Sequence, residues 1–243
     1  MDLTNFFSKK NKNMVIGNGM IANRFVNYQN EKDKIIFASG VSNSKDTIEQ
    51  NFAREFELLN KTLEKNPDKI LVYFSTCSVE DKDLQSAPYV IHKKNIEKFI
   101  KQNAAKYYLF RISNLAGVSN NPYTILNYFI LNILQNNVLT VWKNAYRNII
   151  GIDDMYSIAD DILKEEILLN TTINIANREN YSVPFIINRI EEHLHKKAIF
   201  NEIEKGDNYK IDISIIEPVV KKLNIHFDDD YLDSLLKKYY HSK

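Results

Sequence analysis

A segment near the start of the chain, where two glycines separate a strand from a helix, constrains the fold most. Asn13-Met-Val-Ile16 is an apolar strand candidate, and Gly17-Asn-Gly19-Met-Ile-Ala22 leads from it into a helical pattern. In such a G-x-G-x-x-A segment the first glycine permits a tight turn, and the second lets the backbone approach a pyrophosphate. The amides at the start of the helix then face the phosphates. The segment predicts a dinucleotide-binding turn, the alternative being a strand–helix turn that merely requires small residues.

Apolar strands and amphipathic helices alternate along the chain that follows. Strand candidates are Lys34–Gly40, Lys69–Phe74 and Tyr107–Ile112, and helices are predicted over about 47–64 and 89–101. Long apolar strands of this kind are typical of a parallel sheet that is covered on both faces. Their order predicts a doubly wound α/β fold with a Rossmann-type parallel sheet. The first of these helices is predicted to bury four apolar residues, Ile48, Phe52, Phe56 and Leu59.

The composition argues against several classes of partner and site. The 243 residues include 32 basic and 31 acidic side chains, a formal net charge of +1, so no nucleic-acid partner is expected. No run of about 18 or more apolar residues occurs, and we expect no membrane span. The first 12 residues lack the apolar core of a signal peptide and are taken as an N-terminal extension. Cys77 is the only cysteine, which fits a reducing compartment, and a cytoplasmic location is expected. His193 and His195 diverge on a helix, and no metal site is expected.

A second segment, Phe74 to Lys93, carries residues suited to proton transfer. Phe74-Ser-Thr-Cys-Ser-Val79 places hydroxyl groups at the end of an apolar strand, and Tyr89 precedes Lys93 by four residues. That spacing places both side chains on one face of a helix. An ammonium group beside a phenol favours the phenolate and lowers a pKa that is ordinarily about 10. A chance pair on a helix surface is the alternative, and His92 is predicted to point away from Lys93, to the surface or an interface.

Taken together and in this order, these segments resemble the extended short-chain dehydrogenase/reductase family, in its nucleotide-sugar epimerase, dehydratase and reductase branch. The resemblance extends over roughly residues 13–195 and includes the helix that contains Asn51 and Glu55. It also includes Phe37-Ala-Ser-Gly40, Arg111-Ile-Ser-Asn114-Leu-Ala-Gly117, Arg147-Asn-Ile-Ile-Gly-Ile-Asp153-Asp154 and Ile173-Asn-Ile-Ala176. It implies an enzyme that exchanges a hydride between a nicotinamide cofactor and a sugar carbon, while the protein handles the proton.

The resemblance also implies roles for residues of this chain. Tyr89 is expected to give or take the proton at the sugar, and Thr76 to hydrogen-bond the reacting oxygen. Lys93 is expected to hold the nicotinamide ribose and to lower the pKa of Tyr89. The residues expected to bind the cofactor are Gly17, Asn18, Gly19, Met20, Ile21, Ala38, Ser39, Gly40, Ser75, Lys93 and Asn114. The residues expected to bind the substrate, a nucleotide-diphosphate sugar, are Cys77, Ser78, Asn114 and Arg147.

One departure from the family lies between the glycine segment and the next strand. Family members have two further strands at this point, whereas about a dozen residues separate Ala22 from Lys34. In the preferred alignment a strand–helix–strand unit is missing and the sheet is shortened, so that the acid on the adenosine ribose is lost. In a competing alignment Ile35–Ala38 is the second strand. The residues around the 2′ position would then be Ser39, Ser42 and Lys45. The cofactor is expected to be NADP or NAD, and the lack of an acid in the competing alignment slightly favours NADP.

A second departure limits the reaction. Thr76-Cys-Ser78 stands where the dehydratases of the family have Thr-Asp-Glu, so elimination of water is not expected. The sequence predicts an NAD(P)-dependent 4-ketoreductase of a nucleotide-activated sugar, with a role in polysaccharide biosynthesis. A nucleotide-sugar 4-epimerase is the alternative. A non-catalytic dinucleotide-binding sensor or assembly protein is the alternative of another class.

The predicted organisation has three parts. The extension over 1–12 precedes a Rossmann-type dinucleotide-binding domain over 13–170, which includes part of the substrate site. A small, mostly helical substrate-binding part over 171–243 follows and is not cleanly separable from that domain. In the family, helices that correspond to 47–64 and 89–103 pair in a four-helix bundle, so a homodimer is expected.

Overall fold

The computed structural model describes residues 14–240, so the extension predicted over residues 1–12 lies outside the described part of the chain. The strands within these residues are β1 (Val15–Ile16), β2 (Lys34–Phe37), β3 (Ile70–Thr76), β4 (Lys106–Ile112), β5 (Asn114–Ala116), β6 (Val138–Trp142), β7 (Tyr146–Gly151), β8 (Thr171–Ile175), β9 (Asn180–Ser182) and β10 (Ile199–Ile203). The α-helices are α1 (Met20–Arg24), α2 (Glu49–Lys65), α3 (Pro88–Asn103), α4 (Ile125–Leu134), α5 (Ile152–Lys164), α6 (Val183–Leu194), α7 (Glu217–Lys222) and α8 (Tyr231–Tyr239). Short 3₁₀ helices occupy Val26–Asn30, Cys77–Glu80 and Lys82–Leu84. None of the helices between residues 14 and 240 is long and apolar enough to cross a membrane.

The central sheet has five parallel strands in the order β1-β2-β3-β4-β8. All seven residues of β3 are buried, as expected for a strand in the middle of a sheet that helices cover on both faces. A two-stranded sheet joins β6 to β10, and a three-stranded sheet has the order β5-β7-β9. The prediction of a doubly wound Rossmann-type α/β fold is confirmed.

The position of β2 decides between the two alignments of the shortened region. Ile36 of β2 pairs with Val15 of β1 on one side and with Val72 of β3 on the other. In a Rossmann sheet the second strand lies beyond the first, which would then separate it from the strands that follow. The competing alignment, with Ile35–Ala38 as the second strand, is therefore wrong, and the shortened arrangement is confirmed. The absence of an acid after β2 consequently no longer favours NADP.

Successive residues of β3 face two different helical layers, because side chains alternate along a strand. Leu71 and Tyr73 belong to a core cluster that includes residues of α2 and α3. Val72 and Phe74 belong to a second cluster that includes residues of α5 and α7. The side chain of Tyr73 therefore lies on the same side of the sheet as α2 and α3.

Helix α2 buries a different face from the one that its apolar residues predict. Its buried residues are Glu55, Leu59 and Thr62. Phe56 is 42 % exposed, and Ile48, which precedes the helix, is 54 % exposed. The predicted inner face is therefore wrong at Ile48 and Phe56. A carboxylate replaces apolar side chains at this interface because partners on neighbouring elements compensate its charge.

Candidate active site

A cleft with a volume of about 1710 Å³ opens at the carboxyl ends of β1 to β4, the place where ligands bind in open α/β sheets. Its walls include the turn after β1, the loop after β2, the end of β3 and the first turns of α3. The predicted catalytic, cofactor-binding and substrate-binding residues all line this cleft, with the exception of Gly17. The fold thus brings together side chains that are far apart in the sequence.

The two glycines of the first turn have different structural roles. Gly17 has a φ of +128°, and a Cβ atom on it would lie 2.2 Å from the carbonyl oxygen of Ala38. Glycine is required there because the chain leaving β2 passes directly beside the turn. A Cβ atom on Gly19 would meet no atom within 4 Å. Since Gly19 lines the cleft, its backbone is open to a ligand, as close approach to a pyrophosphate requires.

The side chains of Tyr89 and Thr76 meet in the wall of the cleft. Helix α3 begins at Pro88, whose fixed φ suits the first turn of a helix, and Tyr89 follows it. The side chains of Tyr89 and Thr76 are within hydrogen-bonding reach of each other, and both residues are buried. Oγ1 of Thr76 also accepts a hydrogen bond from the backbone N–H of Ser78 at 3.1 Å, which fixes the threonine. The two hydroxyl groups predicted to act together are therefore adjacent.

The electrostatic surroundings of Tyr89 differ from those expected. Burial raises the pKa of its phenol above the ordinary value of 10.0, and Glu55 and Cys77 act in the same direction, while the hydrogen bond from Thr76 opposes them. Nζ of Lys93 lies 5.8 Å from the centre of the Tyr89 ring. Lys93 does not outweigh burial and Glu55 in this arrangement, and its expected lowering of the Tyr89 pKa stays a prediction. The phenol keeps its proton at neutral pH.

Lys93 is buried and bound to side chains on two neighbouring elements. Its Nζ donates hydrogen bonds to Oε1 of Glu55 on α2 and to the hydroxyl of Tyr73 on β3, each at 2.9 Å. Gly40 leaves the necessary space, since a Cβ atom at that position would lie 2.7 Å from Nζ. Burial lowers the pKa of Lys93, and Glu55 opposes this effect. The ammonium is thus one half of a buried ion pair.

The carboxylate of Glu55 is the centre of this group of side chains. It accepts hydrogen bonds from the backbone N–H of Val41 at 2.7 Å and from the hydroxyl of Tyr73, and its Oε2 lies 2.9 Å from Nε2 of His92. Its burial raises the pKa, but Lys93 and these three partners outweigh burial and hold the pKa at about 2. Sequence reasoning missed this residue as part of the site. The sequence did contain one signal for its burial. Apolar residues lie three positions before it and four positions after it, so it shares the inner face of the helix with them.

His92 lies inside this network, so its predicted surface position is wrong, while an interface position stays a prediction. Its side chain is 10 % exposed and stacks on Phe52, with 4.7 Å between the ring centres. His92 and Lys93 point about 100° apart around α3. Oε2 of Glu55 contacts His92, and Oε1 contacts Lys93. The divergence of the two side chains around the helix was predicted correctly. The sequence did not indicate that the carboxylate of Glu55 lies between them.

A second buried carboxylate engages the hydroxyl of Ser75. Oγ of Ser75 donates to Oε1 of Glu97 at 2.6 Å. The guanidinium of Arg111 binds both oxygens of Glu97, at 2.9 and 2.7 Å, and reaches Glu80 at 2.5 Å. Ser75 therefore lines the cleft while its hydroxyl proton is directed to Glu97.

Cys77 and Asn114, both predicted to contact substrate, are held by backbone carbonyls. Sγ of Cys77 lies 3.2 Å from the carbonyl oxygen of Arg111. Burial raises the pKa of this thiol, so it stays neutral and is not an activated nucleophile. Nδ2 of Asn114 donates to the carbonyl of Asn148 at 2.8 Å. Over residues 14–240, no cluster of three or more His, Cys, Asp or Glu side chains is arranged to hold a metal ion.

Arg147 and Tyr209 bring polar groups to the cleft from the C-terminal half of the chain. Nη1 of Arg147 donates to the carbonyl of Tyr146 at 2.6 Å. The positive charge of Arg147 lowers the pKa of Asp81, against the effect of burial. Arg147 forms no ion pair with any residue of the described chain. The hydroxyl of Tyr209 is hydrogen-bonded to Ser78. Sequence reasoning missed Tyr209, because the segment between β10 and α7 has no periodic pattern or motif.

A sequence model of the NAD dependent epimerase/dehydratase family matches residues 36–176, which is more than half of the chain. The chain belongs to this family. The match includes Thr76, Tyr89 and Lys93 and begins after the glycine segment. Membership in the NAD dependent epimerase/dehydratase family confirms the resemblance to extended short-chain dehydrogenases/reductases and the prediction of a nicotinamide-dependent enzyme.

Solved structures of epimerases and dehydratases share the fold. UDP-glucuronic acid 4-epimerase from Bacillus cereus, in complex with UDP-glucuronic acid and NAD, has a TM-score of 0.67 and 19% identity, covering 84% of this chain and 73% of that one. dTDP-glucose 4,6-dehydratase from Bacillus anthracis, in complex with NAD, has a TM-score of 0.66 and 16% identity, covering 90% and 76%. UDP-N-acetylglucosamine 4-epimerase from Methanobrevibacter ruminantium, in complex with UDP-N-acetylmuramic acid, has a TM-score of 0.63 and 18% identity, covering 84% and 74%. This chain covers only part of each of them, in agreement with its shortened sheet. No curated protein sequence matches it.

Proposed function

We propose that this protein is an NAD-dependent 4-ketoreductase of a nucleotide-activated sugar. The observation that carries the proposal is the position of two buried hydroxyl groups, those of Tyr89 and Thr76, in the cleft at the carboxyl ends of the strands. A protonated phenol that is held by a second hydroxyl is suited to donate its proton to a carbonyl oxygen as a hydride reaches the carbon. The neighbouring structures that contain UDP-linked sugars support this class of substrate.

The cleft fits the pyrophosphate and nicotinamide portions of the cofactor. The open space beside Gly19, the small residues Ala38, Ser39 and Gly40, and the side chain of Lys93 would hold it. When bound, the cofactor would supply the hydride. We infer NAD rather than NADP, because two of the neighbouring structures were solved with NAD and the strand order removes the reason for NADP.

The remaining roles follow from the contacts of each side chain. Tyr89 holds the proton to be donated, and Thr76 orients the phenol and the sugar oxygen. Arg147 has no carboxylate partner in the described chain, so its guanidinium is available to the diphosphate of the substrate. Tyr209, anchored on Ser78, contributes to the sugar pocket. The predicted cofactor and substrate contacts of Asn114, Cys77 and the other cleft residues remain part of this proposal.

A 4-epimerase is the second candidate, since two of the three neighbouring structures described above are 4-epimerases. An epimerase must take a proton from the sugar before it returns one, so it would need Tyr89 as both acceptor and donor. A non-catalytic dinucleotide-binding protein is the candidate of another class. The shortened sheet on the adenosine side supports it.

A homodimer through α2 and α3, a cytoplasmic location and a role in polysaccharide biosynthesis remain predictions. The division into a dinucleotide-binding domain over 13–170 and a substrate-binding part over 171–243 also remains a prediction. Phe56 on α2 and Ile91 on α3 are exposed by 42% and 45%, which supports a partner on these two helices. A monomer in light scattering would contradict the homodimer.

The reaction is tested by incubating the purified protein with NADH or NADPH and a panel of UDP- and dTDP-linked 4-keto sugars. The near-ultraviolet absorbance of the reduced nicotinamide is followed, and the products are identified by mass spectrometry. A reductase consumes one reduced cofactor for each sugar reduced. An epimerase carries NAD and interconverts two sugars with no net change in cofactor. Cofactor binding without hydride exchange on any sugar would support the non-catalytic candidate and contradict the proposed reductase.

A further inference from the structure

The ion pair between Glu55 and Lys93 places an acid directly behind the site of proton transfer. Glu55 is 0% exposed and Lys93 is 2% exposed, with 2.9 Å between Oε1 and Nζ. The same carboxylate is held by Tyr73 on β3, by His92 on α3 and by the backbone of Val41 after β2. The carboxylate of Glu55 therefore connects α2, α3, β3 and the loop beside Gly40 at the wall of the cleft.

This arrangement changes what the ammonium can do for Tyr89. In a buried environment of low dielectric, a contact ion pair has a small field at longer range, because the opposite charges nearly cancel. The Lys93 ammonium is 5.8 Å from the centre of the Tyr89 ring, and Glu55 acts on the phenol in the opposite sense. The other ionisable groups that face the phenol are Tyr73 and Cys77. Two further charges affect the pKa of Lys93: Glu97 raises it and Arg54 lowers it.

We propose that Glu55 is a positioning residue of this site, which fixes the Lys93 ammonium and offsets its charge, so that the phenol of Tyr89 stays protonated in the free enzyme. The inference rests on the proposed ketoreductase function, whose proton donor would be a protonated Tyr89. Glu55 acts through Lys93 and through its own charge, without touching the sugar. His92 holds the second oxygen of Glu55 and so keeps the first one directed at Lys93.

The first experiment needs neither cofactor nor substrate. The urea midpoints of Glu55→Gln, Lys93→Met and the double variant are compared with that of the unchanged protein. Removing one partner leaves a buried charge without compensation, whereas removing both does not. We therefore expect each single variant to unfold at lower urea than the double variant. A double variant that is less stable than both single variants would contradict the coupling, and a Glu55→Gln protein that fails to fold while the double variant folds would support it.

The second experiment separates positioning from a purely structural role. The pH dependence of turnover is measured in the direction of sugar oxidation, for which Tyr89 must accept a proton. With Gln at position 55 the ammonium regains its effect on the phenol, so the half-maximal rate is expected at a pH at least one unit lower. Glu57→Gln is the matched control, because Glu57 is an exposed acid on α2 that pairs with Lys61, and no shift is expected. An unchanged midpoint in Glu55→Gln would overturn the proposal even if turnover fell. If neither the unchanged protein nor any variant turns over a sugar, the proposed function fails. The urea midpoints still decide whether Glu55 holds Lys93.

Discussion

Lys93 and Glu55 lie 38 residues apart in sequence and form an ion pair in which both side chains are buried. The pair joins α2 to α3 at the level of the cleft. It also fixes the backbone after β2, because the N–H of Val41 donates to the same carboxylate. One buried contact therefore links α2, α3 and the loop after β2 at the wall of the cleft.

Acid is expected to destabilise the protein through Glu55. Its pKa is about 2 in the fold against an ordinary 4.5, since its partners outweigh the effect of burial. As the pH falls through this range the unfolded chain takes up the proton first, so the stabilisation present above pH 4.5 is lost toward pH 2. The loss amounts to about 3 kcal/mol. Urea unfolding measured from about pH 6 to about pH 3 should show a steeper fall for the unchanged protein than for Glu55→Gln. Equal slopes would contradict the low pKa.

Gly17→Ala is expected to destabilise the fold strongly. The residue has a φ of +128°, and the added Cβ would lie 2.2 Å from a backbone oxygen of Ala38, which cannot move without shifting the end of β2. We expect a loss of at least about 2 kcal/mol in the free energy of unfolding. Thermal unfolding measures it. A variant as stable as the unchanged protein would mean that β2 does not pass so close to this turn.

Gly19→Ala is expected to leave the fold intact and to weaken cofactor binding. An added Cβ would meet no protein atom within 4 Å, so the stability should change by less than about 0.5 kcal/mol. The methyl group would occupy space that a pyrophosphate needs beside the backbone. We expect the affinity for NAD to fall by about tenfold or more, measured by calorimetry. Unchanged affinity would place the pyrophosphate elsewhere in the cleft.

Tyr89→Phe is expected to abolish most of the turnover without loss of the fold. The substitution removes the proton donor and its hydrogen bond with Thr76 while it keeps the buried ring. Turnover should fall by about 10²–10⁴-fold, the usual contribution of a positioned acid, and the affinity for NAD should be retained. Tyr107→Phe, at a position on β4 outside the cleft lining, is the matched control and should keep its activity. Full turnover in Tyr89→Phe would exclude Tyr89 as the donor.

Arg147→Met is expected to weaken substrate binding more than catalysis. Arg147 lines the cleft and, within residues 14–240, has no carboxylate partner to satisfy its charge. A charge-assisted contact with a diphosphate contributes to ground-state binding, so KM for the nucleotide sugar should rise about tenfold, with a smaller change in kcat. Arg178→Met removes a guanidinium that pairs with Glu217 at the surface and should leave KM unchanged. A normal KM in Arg147→Met would contradict its role as a substrate anchor.

The order of the sheet was predictable because its signals are local. The apolar run Lys69–Phe74 predicted a buried strand, and β3 occupies Ile70–Thr76. The two glycines and the short stretch before Lys34 predicted both the turn and the shortened sheet, which the pairing of β2 with β1 and β3 confirms. Spacing along a helix likewise placed Tyr89 and Lys93 on one side of α3, and both line the cleft.

The charges behind the site were not predictable in the same way. Glu55 would ordinarily be placed on the solvent face of a helix, and periodicity therefore assigned Phe56 to the core in its place. The compensating groups, Lys93 and His92, come from a helix that begins more than 30 residues later, and a helical pattern contains no information about them. Tyr209 was missed for a different reason, since it lies in an irregular segment that only the tertiary fold brings to Ser78.

The alternation along β3 makes the length of this strand as important as its composition. Tyr73 faces the layer that contains Glu55 and Lys93, while Phe74 faces the opposite layer. Inserting or deleting one residue in the strand would exchange the two faces, moving an aromatic ring against the ammonium and a phenol into the hydrocarbon interior. Substitutions can therefore adjust this site one residue at a time, whereas a single-residue change in length would disrupt the core and the proton-handling residues together.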